Sequence, residues 1–174
     1  MRGERVLVTG GAGFIGSNLA EALAEKNDVV ILDDLSTGKL ENIKNLKRKS
    51  NVDFIKGSIT DDRLLHKCFS DIDYVFHQAA LPSVPRSIED PHGSNEVNIS
   101  GTLNVLIAAR DCNVKKLICA SSSSVYGDTP SLPKIEDMPI NPLSPYAVTK
   151  ATGEFYCKVF HDIYGLKTDL TAIF

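Results

Sequence analysis

Tyr146 and Lys150 stand four residues apart, just after Ser144-Pro145, where a hydroxyl suited to capping a helix precedes a proline suited to its first turn. That spacing places phenol and ammonium on one helix face. A free phenol has a pKa near 10, so using it as a base at neutral pH costs about 4 kcal/mol, and a nearby ammonium and a helix N-terminus both favour the phenolate. Such a pair alone carries little weight, because exposed helix pairs are common. A second feature supplies context: Ser121, Ser122, Ser123 and Ser124 follow the apolar run Leu117 to Ala120. If that run is a strand, the hydroxyls lie at the carboxyl edge where open α/β sheets bind ligands. One of them can then hold the oxygen that Tyr146 deprotonates.

Residues 9 to 16 read T-G-G-A-G-F-I-G, directly after the apolar run Val6 to Val8 and directly before the helical stretch Ser17 to Ala24. Gly11, Gly13 and Gly16 satisfy G-x-G-x-x-G, and Gly10, Gly13 and Gly16 satisfy G-x-x-G-x-x-G. The glycines permit a tight turn, close approach of backbone to a pyrophosphate, and close packing of helix on strand. The helix start offers free N–H groups to phosphate. Asp33 closes the second apolar run about 20 residues after Gly13, where a carboxylate accepts hydrogen bonds from an adenosine ribose. It would repel a 2′-phosphate and no Arg follows directly, so NAD is expected rather than NADP. The cationic ring of oxidised nicotinamide would then add to the forces favouring a Tyr146 phenolate.

The elements that must position these groups alternate along the chain. Strands are expected at 5–8, 29–32, 52–56, 73–78, 115–120 and 168–173, and helices at 14–26, 61–70, 94–111 and 145–163. This is the pattern of an α/β, Rossmann-like doubly wound parallel sheet with helices on both faces. Leu103, Leu106 and Ile107, and Phe155, Val159 and Phe160, fall at helical spacing and are expected in the core. Residues 129–145 hold five of the eight prolines, which excludes a regular element there and suggests an ordered loop near the site.

A chain of 174 residues, 43% apolar and 24% charged, suits one domain over 1–174. The 19 basic and 22 acidic residues leave a net charge of −3 with the signs interspersed, which argues against a nucleic-acid or anionic-membrane partner. Apolar runs are too short to span a bilayer. Cys68, Cys112, Cys119 and Cys157 have no metal-ligand spacing, so no metal is expected, and reduced, buried thiols point to the cytoplasm.

Together with V-V-I-L-D-D-L-S-T-G and H-Q-A-A, the fingerprint, A-S-S-S-S-V-Y-G and Y-A-V-T-K occur in an order that resembles the extended short-chain dehydrogenase/reductase family, and within it the UDP-sugar 4-epimerases. The stretch F-H-Q-A-A-L-P-S-V-P-R-S is more similar to the N-acetylglucosamine than to the galactose type. The resemblance implies Ser122, Tyr146 and Lys150 as the catalytic set. It implies cofactor contacts from Gly10, Gly13, Phe14, Ile15 and Gly16 in the turn, and from Asp33, Asp34, Ser36, Thr37 and Gly38 after the second strand. Further contacts would come from Ser58, Ile59, Gln78, Ala79, Ala80 and Asn98, and from Tyr146 and Lys150 themselves. Ser83, Ser122, Ser123 and Tyr146 would touch the UDP-sugar.

The implied reaction is transient oxidation at carbon 4 of a UDP-hexose by NAD, with return of hydride to the opposite face. Dehydratases of the family carry an Asp-Glu pair where this chain has Ser123 and Ser124, which argues against loss of water. Helices 94–111 and 145–163 would pair two subunits into a homodimer. Three departures stand out. Ser58 replaces an acidic residue that contacts adenine, and Pro82 replaces a glycine beside Ser83. The text after Thr168 leaves the family pattern, with Asp169 ill-suited to a buried parallel strand, so the substrate domain is expected to be missing. A catalytically silent NAD-binding module is the alternative expectation.

Overall fold

The computed structural model describes residues 1–129 and 133–171. Its core is a six-stranded parallel sheet made of β1 (Arg5–Thr9), β2 (Asp28–Asp33), β3 (Val52–Lys56), β4 (Tyr74–His77), β5 (Lys116–Ala120) and β6 (Thr168–Thr171), in the order β3-β2-β1-β4-β5-β6. The helices are α1 (Phe14–Leu23), α2 (Asp62–Cys68), α3 (Val84–Glu89), α4 (Pro91–Asn95), α5 (Gly101–Asp111) and α6 (Pro145–Tyr164). Chain order reverses between β1 and β4, which opens a crevice beyond their carboxyl ends.

Alternation along β1 shows why the sheet needs helices on both faces. Leu7 packs with Val30, Val75 and Leu117 in one layer with Leu65, Phe69, Leu106 and Phe160. Val8 points the opposite way, into a layer with Ile31, Ala20 and Ala24. All these side chains are buried, and at about 1.5–3 kcal/mol for each large one their transfer from water dominates the stability.

Element positions agree with expectation except at particular places. The helix expected from residue 94 begins at Pro91, where Asp90 Oδ1 accepts from Gly93 N at 2.9 Å, and it passes through a wider π turn at Glu96–Ser100 before α5. Helix α3 and short 3-10 turns at Leu40–Ile43 and Leu46–Arg48 were not expected. Strand β6 is seen over Thr168–Thr171, while the remainder of the expected 168–173 run lies outside the described residues. Asp169 does not enter a buried layer: among the described residues β6 is an edge strand, and Asp169 is exposed and paired with Lys116.

Two of the expected core residues are also misplaced. Phe155 is 56% and Val159 42% exposed. The buried face of α6 instead runs through Ala147, Ala151, Cys157 and Phe160, so Phe155 and Val159 belong to a second apolar stripe on the far side. Leu106 is buried, and Leu103 and Ile107 pack partly against the core. No helix among the described residues is long and apolar enough to cross a membrane.

A polar clamp ties the crevice together. His77, at the end of β4, is buried; its Nδ1 lies 2.7 Å from Thr9 Oγ1 and its Nε2 lies 3.0 Å from Thr102 Oγ1. Burial, aided by the Lys150 charge, holds its pKa down at about 3. The unfolded chain takes up a proton at this residue near pH 6.5 whereas the folded chain does not, so stability is lost as pH falls from about 6.5 toward about 3, at no more than ~1.4 kcal/mol per pH unit. Urea midpoints of wild type and His77→Asn should diverge with the wild type showing the steeper loss, and NMR of the His77 ring should show it neutral down to about pH 4. A ring that titrates near its ordinary value would contradict this account.

Candidate functional site

The crevice is a cavity of about 410 Å³, walled by the β1–α1 turn, the ends of β2, β3, β4 and β5, and the first turns of α6. The β1–α1 turn approaches β4 so closely that a side chain at Gly10, whose φ is +67°, would meet Ala79 N at 2.6 Å. A Cβ at Gly16 would meet Gly10 O at 2.2 Å. Helix α1 starts from Gly13 with no side-chain cap and no acidic residue in its first turn, so its positive end is open to an anion in the cavity. Gly10, Gly13, Phe14, Ile15 and Gly16 all line the cavity wall.

Asp33 is buried at the tip of β2, where its Oδ2 accepts from Ala12 N at 2.9 Å and its Oδ1 from Leu35 N at 2.8 Å. The carboxylate thus locks the glycine turn to the following loop while still lining the cavity. Gly38 does not line it: its Cα packs against Asp33, and a Cβ there would meet Oδ1 at 2.7 Å. Asp34, Ser36 and Thr37 do line it, with Asp34 Oδ1 accepting from Ser36 N at 2.8 Å. Ser58 and Ile59 close the β3 side, where Ser58 Oγ is 2.9 Å from Thr60 Oγ1.

Gln78, Ala79 and Ala80 form the floor. Asn98 lies behind this wall rather than in it. Its Oδ1 accepts from Leu81 N at 2.7 Å, and its Nδ2 donates to Leu81 O and to Thr149 Oγ1, both at 3.1 Å. Thr149 Oγ1 in turn donates to Tyr146 O at 2.7 Å. Asn98 therefore fixes the post-β4 loop against the helix that carries Tyr146 and Lys150.

Those two residues and Ser122 line the same cavity. Ser144 Oγ accepts from Ala147 N at 3.1 Å and Pro145 occupies the first turn, as the sequence suggests. Ser122 Oγ accepts from Ser124 N at 3.2 Å and from Ser124 Oγ at 2.9 Å. With both contacts directed at its oxygen, the Ser122 proton is left to turn elsewhere. Burial raises the Tyr146 pKa, and the Ser122 hydroxyl works in the other direction. Burial also lowers the Lys150 pKa, opposed by Cys119, Cys157 and Glu154. In the protein alone burial sets the direction for Tyr146, and the ammonium and helix start expected to favour the phenolate do not reverse it.

Ser123 and Ser83 stand outside the cavity lining. The Ser123 carbonyl accepts from Lys134 Nζ at 3.3 Å, and the same ammonium reaches Gly127 O at 2.8 Å. Ser83 caps α3 through Arg86 N at 3.4 Å with φ at +104°. The sequence reading missed Ser121 as a lining residue, although it belongs to the serine run, and it missed Leu81 and Val97.

Comparison with known proteins follows the same outline. The family model described as GDP-mannose 4,6 dehydratase matches residues 7–174. A UDP-glucose 4-epimerase of Mycolicibacterium smegmatis is 45% identical over 166 residues, covering 93% of this chain and 53% of that protein. A UDP-N-acetylglucosamine 4-epimerase from Methanobrevibacter ruminantium, solved with UDP-N-acetylmuramic acid, is similar with a TM-score of 0.92 and 46% identity, over 99% of this chain and 54% of that one. The Thermus thermophilus UDP-glucose 4-epimerase complexed with NAD gives a TM-score of 0.87 and 43% identity, over 95% and 53% of the two chains. The chain spans about half the length of these relatives.

The positive φ of Ser83 stores strain of about 1–3 kcal/mol, whereas its cap bond is long and is worth a few tenths when replaced by glycine. Ser83→Gly should raise stability by about 1 kcal/mol after the added chain entropy of glycine is subtracted, measured by urea unfolding. A fall in stability would show that the hydroxyl contributes more than the backbone conformation costs.

Proposed function

Because the chain belongs to the family described as GDP-mannose 4,6 dehydratase, we propose that its cavity binds NAD and a UDP-hexose and that its residues invert carbon 4 of the sugar. The observation that carries this reading is the convergence of Ser122, Tyr146 and Lys150 on the cavity that also holds the uncapped α1 start and the Asp33 carboxylate.

The residues fit the cofactor. The open α1 terminus and the absence of side chains at Gly10 and Gly13 suit a pyrophosphate, and Asp33 keeps lone pairs free for ribose hydroxyls while its negative charge opposes a 2′-phosphate. Bound NAD would supply a hydride acceptor and donor. Tyr146 Oη takes the proton of the carbon-4 hydroxyl as that carbon loses hydride, and returns it when hydride comes back to the other face of the keto sugar. Ser122 holds the sugar oxygen during both transfers. Lys150, on the same helix face, favours the phenolate against the burial that opposes it, and bound NAD in its oxidised form would add a positive charge in the same sense. Electrons balance, with no net redox change. Ser123 and Ser124, where dehydratases carry acid groups, leave no group to expel water, so epimerisation is favoured over dehydration.

The exposed apolar stripe of Val148, Phe155, Val159 and Ile163 on α6 supports pairing of α5 and α6 with a second copy as a homodimer. A cytoplasmic setting accords with four unpaired cysteines. The second reading is NAD binding without turnover.

Incubation of purified protein with UDP-N-acetylglucosamine or UDP-glucose should give the carbon-4 epimer without net NADH; bound NAD with no epimer at high protein concentration would support the silent module instead. Asp33→Asn should weaken NAD binding on the order of tenfold, about 1.4 kcal/mol, and narrow the preference for NAD over NADP by a similar factor in titration calorimetry. Equal affinity of the unmodified protein for both nucleotides would remove Asp33 from this role.

A further inference from the structure

Tyr146 sits in the first turn of α6, and the N–H groups of a first turn have no partner inside their own helix. Pro145 has no N–H to satisfy. The N–H of Ala147 is taken by Ser144 Oγ at 3.1 Å, and that of Val148 by Ser144 O at 3.0 Å. The N–H of Tyr146 is left, and its partner comes from another element: it donates to Ser87 Oγ in α3 at 3.0 Å, across 59 residues of sequence.

Ser87 is 0% exposed, and its hydroxyl has one available orientation. The proton goes to Val84 O at 2.7 Å, which turns the oxygen lone pairs toward α6. Helix α3, Val84–Glu89, is too short to hold itself in place by its own bonds. It follows directly on Leu81 and Pro82, which line the cavity. Tyr146 O accepts from Thr149 Oγ1 at 2.7 Å, so the backbone of Tyr146 is held at its N–H by α3 and at its C=O by its own helix. The phenol stands at the far end of the side chain, so a small turn of this backbone moves Oη further than it moves Cα.

We propose that Ser87 is a positioning residue for Tyr146, its buried hydroxyl fixing from α3 the helix turn that aims the phenol into the cavity. The value of that aim for the reaction rests on the function proposed above; the placement of the ring does not.

Ser87→Ala removes the acceptor with little change of volume, and Ser87→Cys keeps the volume with a sulfur that accepts only weakly. In the nucleotide-free protein, with ¹³Cζ-labelled tyrosine and Tyr146→Phe to assign the ring, both variants should displace the Tyr146 signal while those of Tyr74 and Tyr164 stay in place. Exchange of the Tyr146 amide hydrogen should quicken on the order of tenfold in both. A Tyr146 signal at its wild-type position in Ser87→Ala, with only the urea midpoint lowered, would mark a merely structural serine and overturn the proposal. Wild-type behaviour of Ser87→Cys would assign the effect to packing and overturn it equally. Where the unmodified chain gives the carbon-4 epimer, Ser87→Ala should lower kcat on the order of tenfold with KM within about twofold; a loss confined to KM would count against Ser87. If the unmodified chain gives no epimer, the proposed function falls, and the ring and amide signals still decide the role of Ser87.

Discussion

The approach of the Gly10 backbone to Ala79 is the constraint on which the site depends. A side-chain carbon at Gly10 would lie 2.6 Å from Ala79 N, well inside van der Waals contact, so the glycine turn and the end of β4 can meet only as bare backbone. Thr9 holds that approach from both sides: its carbonyl accepts from Gln78 N at 3.1 Å and its hydroxyl from Ala79 N at 3.3 Å. His77 then anchors the Thr9 hydroxyl to Thr102 in α5. The cavity therefore inherits its shape from four elements clamped at one point, rather than from the loops that decorate it.

Electrostatics within this shape set opposing demands. Burial within this crevice raises the Tyr146 pKa and lowers that of Lys150, so the protein by itself holds both groups toward their neutral forms. Within a protein recess an added charge has more influence than it would have in bulk water. The cationic ring of an oxidised nicotinamide and the pyrophosphate at the α1 terminus are charges of the kind such a cavity rewards. With its pKa raised by burial, the Tyr146 phenol stays protonated in the protein alone, and on the proposed function its activation would depend on occupancy.

What could be read from the residues is what short-range chemistry encodes. The glycine spacing, the strand before it, the Ser144-Pro145 helix start and the Tyr146–Lys150 pair each arise within a few residues, and each lies where expected. Features that depend on packing partners were not legible. Phe155 and Val159 repeat at helical spacing, but periodicity marks a face as apolar without saying what covers it. The hydrogen bond from Ser121 to Glu154 joins residues distant in sequence through the register of β5 against α6, and nothing local announces it. Asn98 shows a related limit: the resemblance implies a cofactor contact, whereas its side chain is taken up by Leu81 and Thr149, and its position follows from the π turn that precedes α5.

Helix α6 explains why such distant features must coexist. Over the turns that carry Tyr146 and Lys150 its buried stripe uses small residues, Ala147, Ala151 and Gly153, with Phe160 following two turns later, and small residues let this part of the helix lie close to the sheet. That closeness brings the adjacent polar face, Tyr146, Lys150 and Glu154, within reach of β5. Larger residues in the buried stripe would lift the helix and separate Ser122 from Tyr146, even with every chemical group intact. The outward stripe of Val148, Phe155 and Val159 is free of that restriction and carries larger apolar side chains.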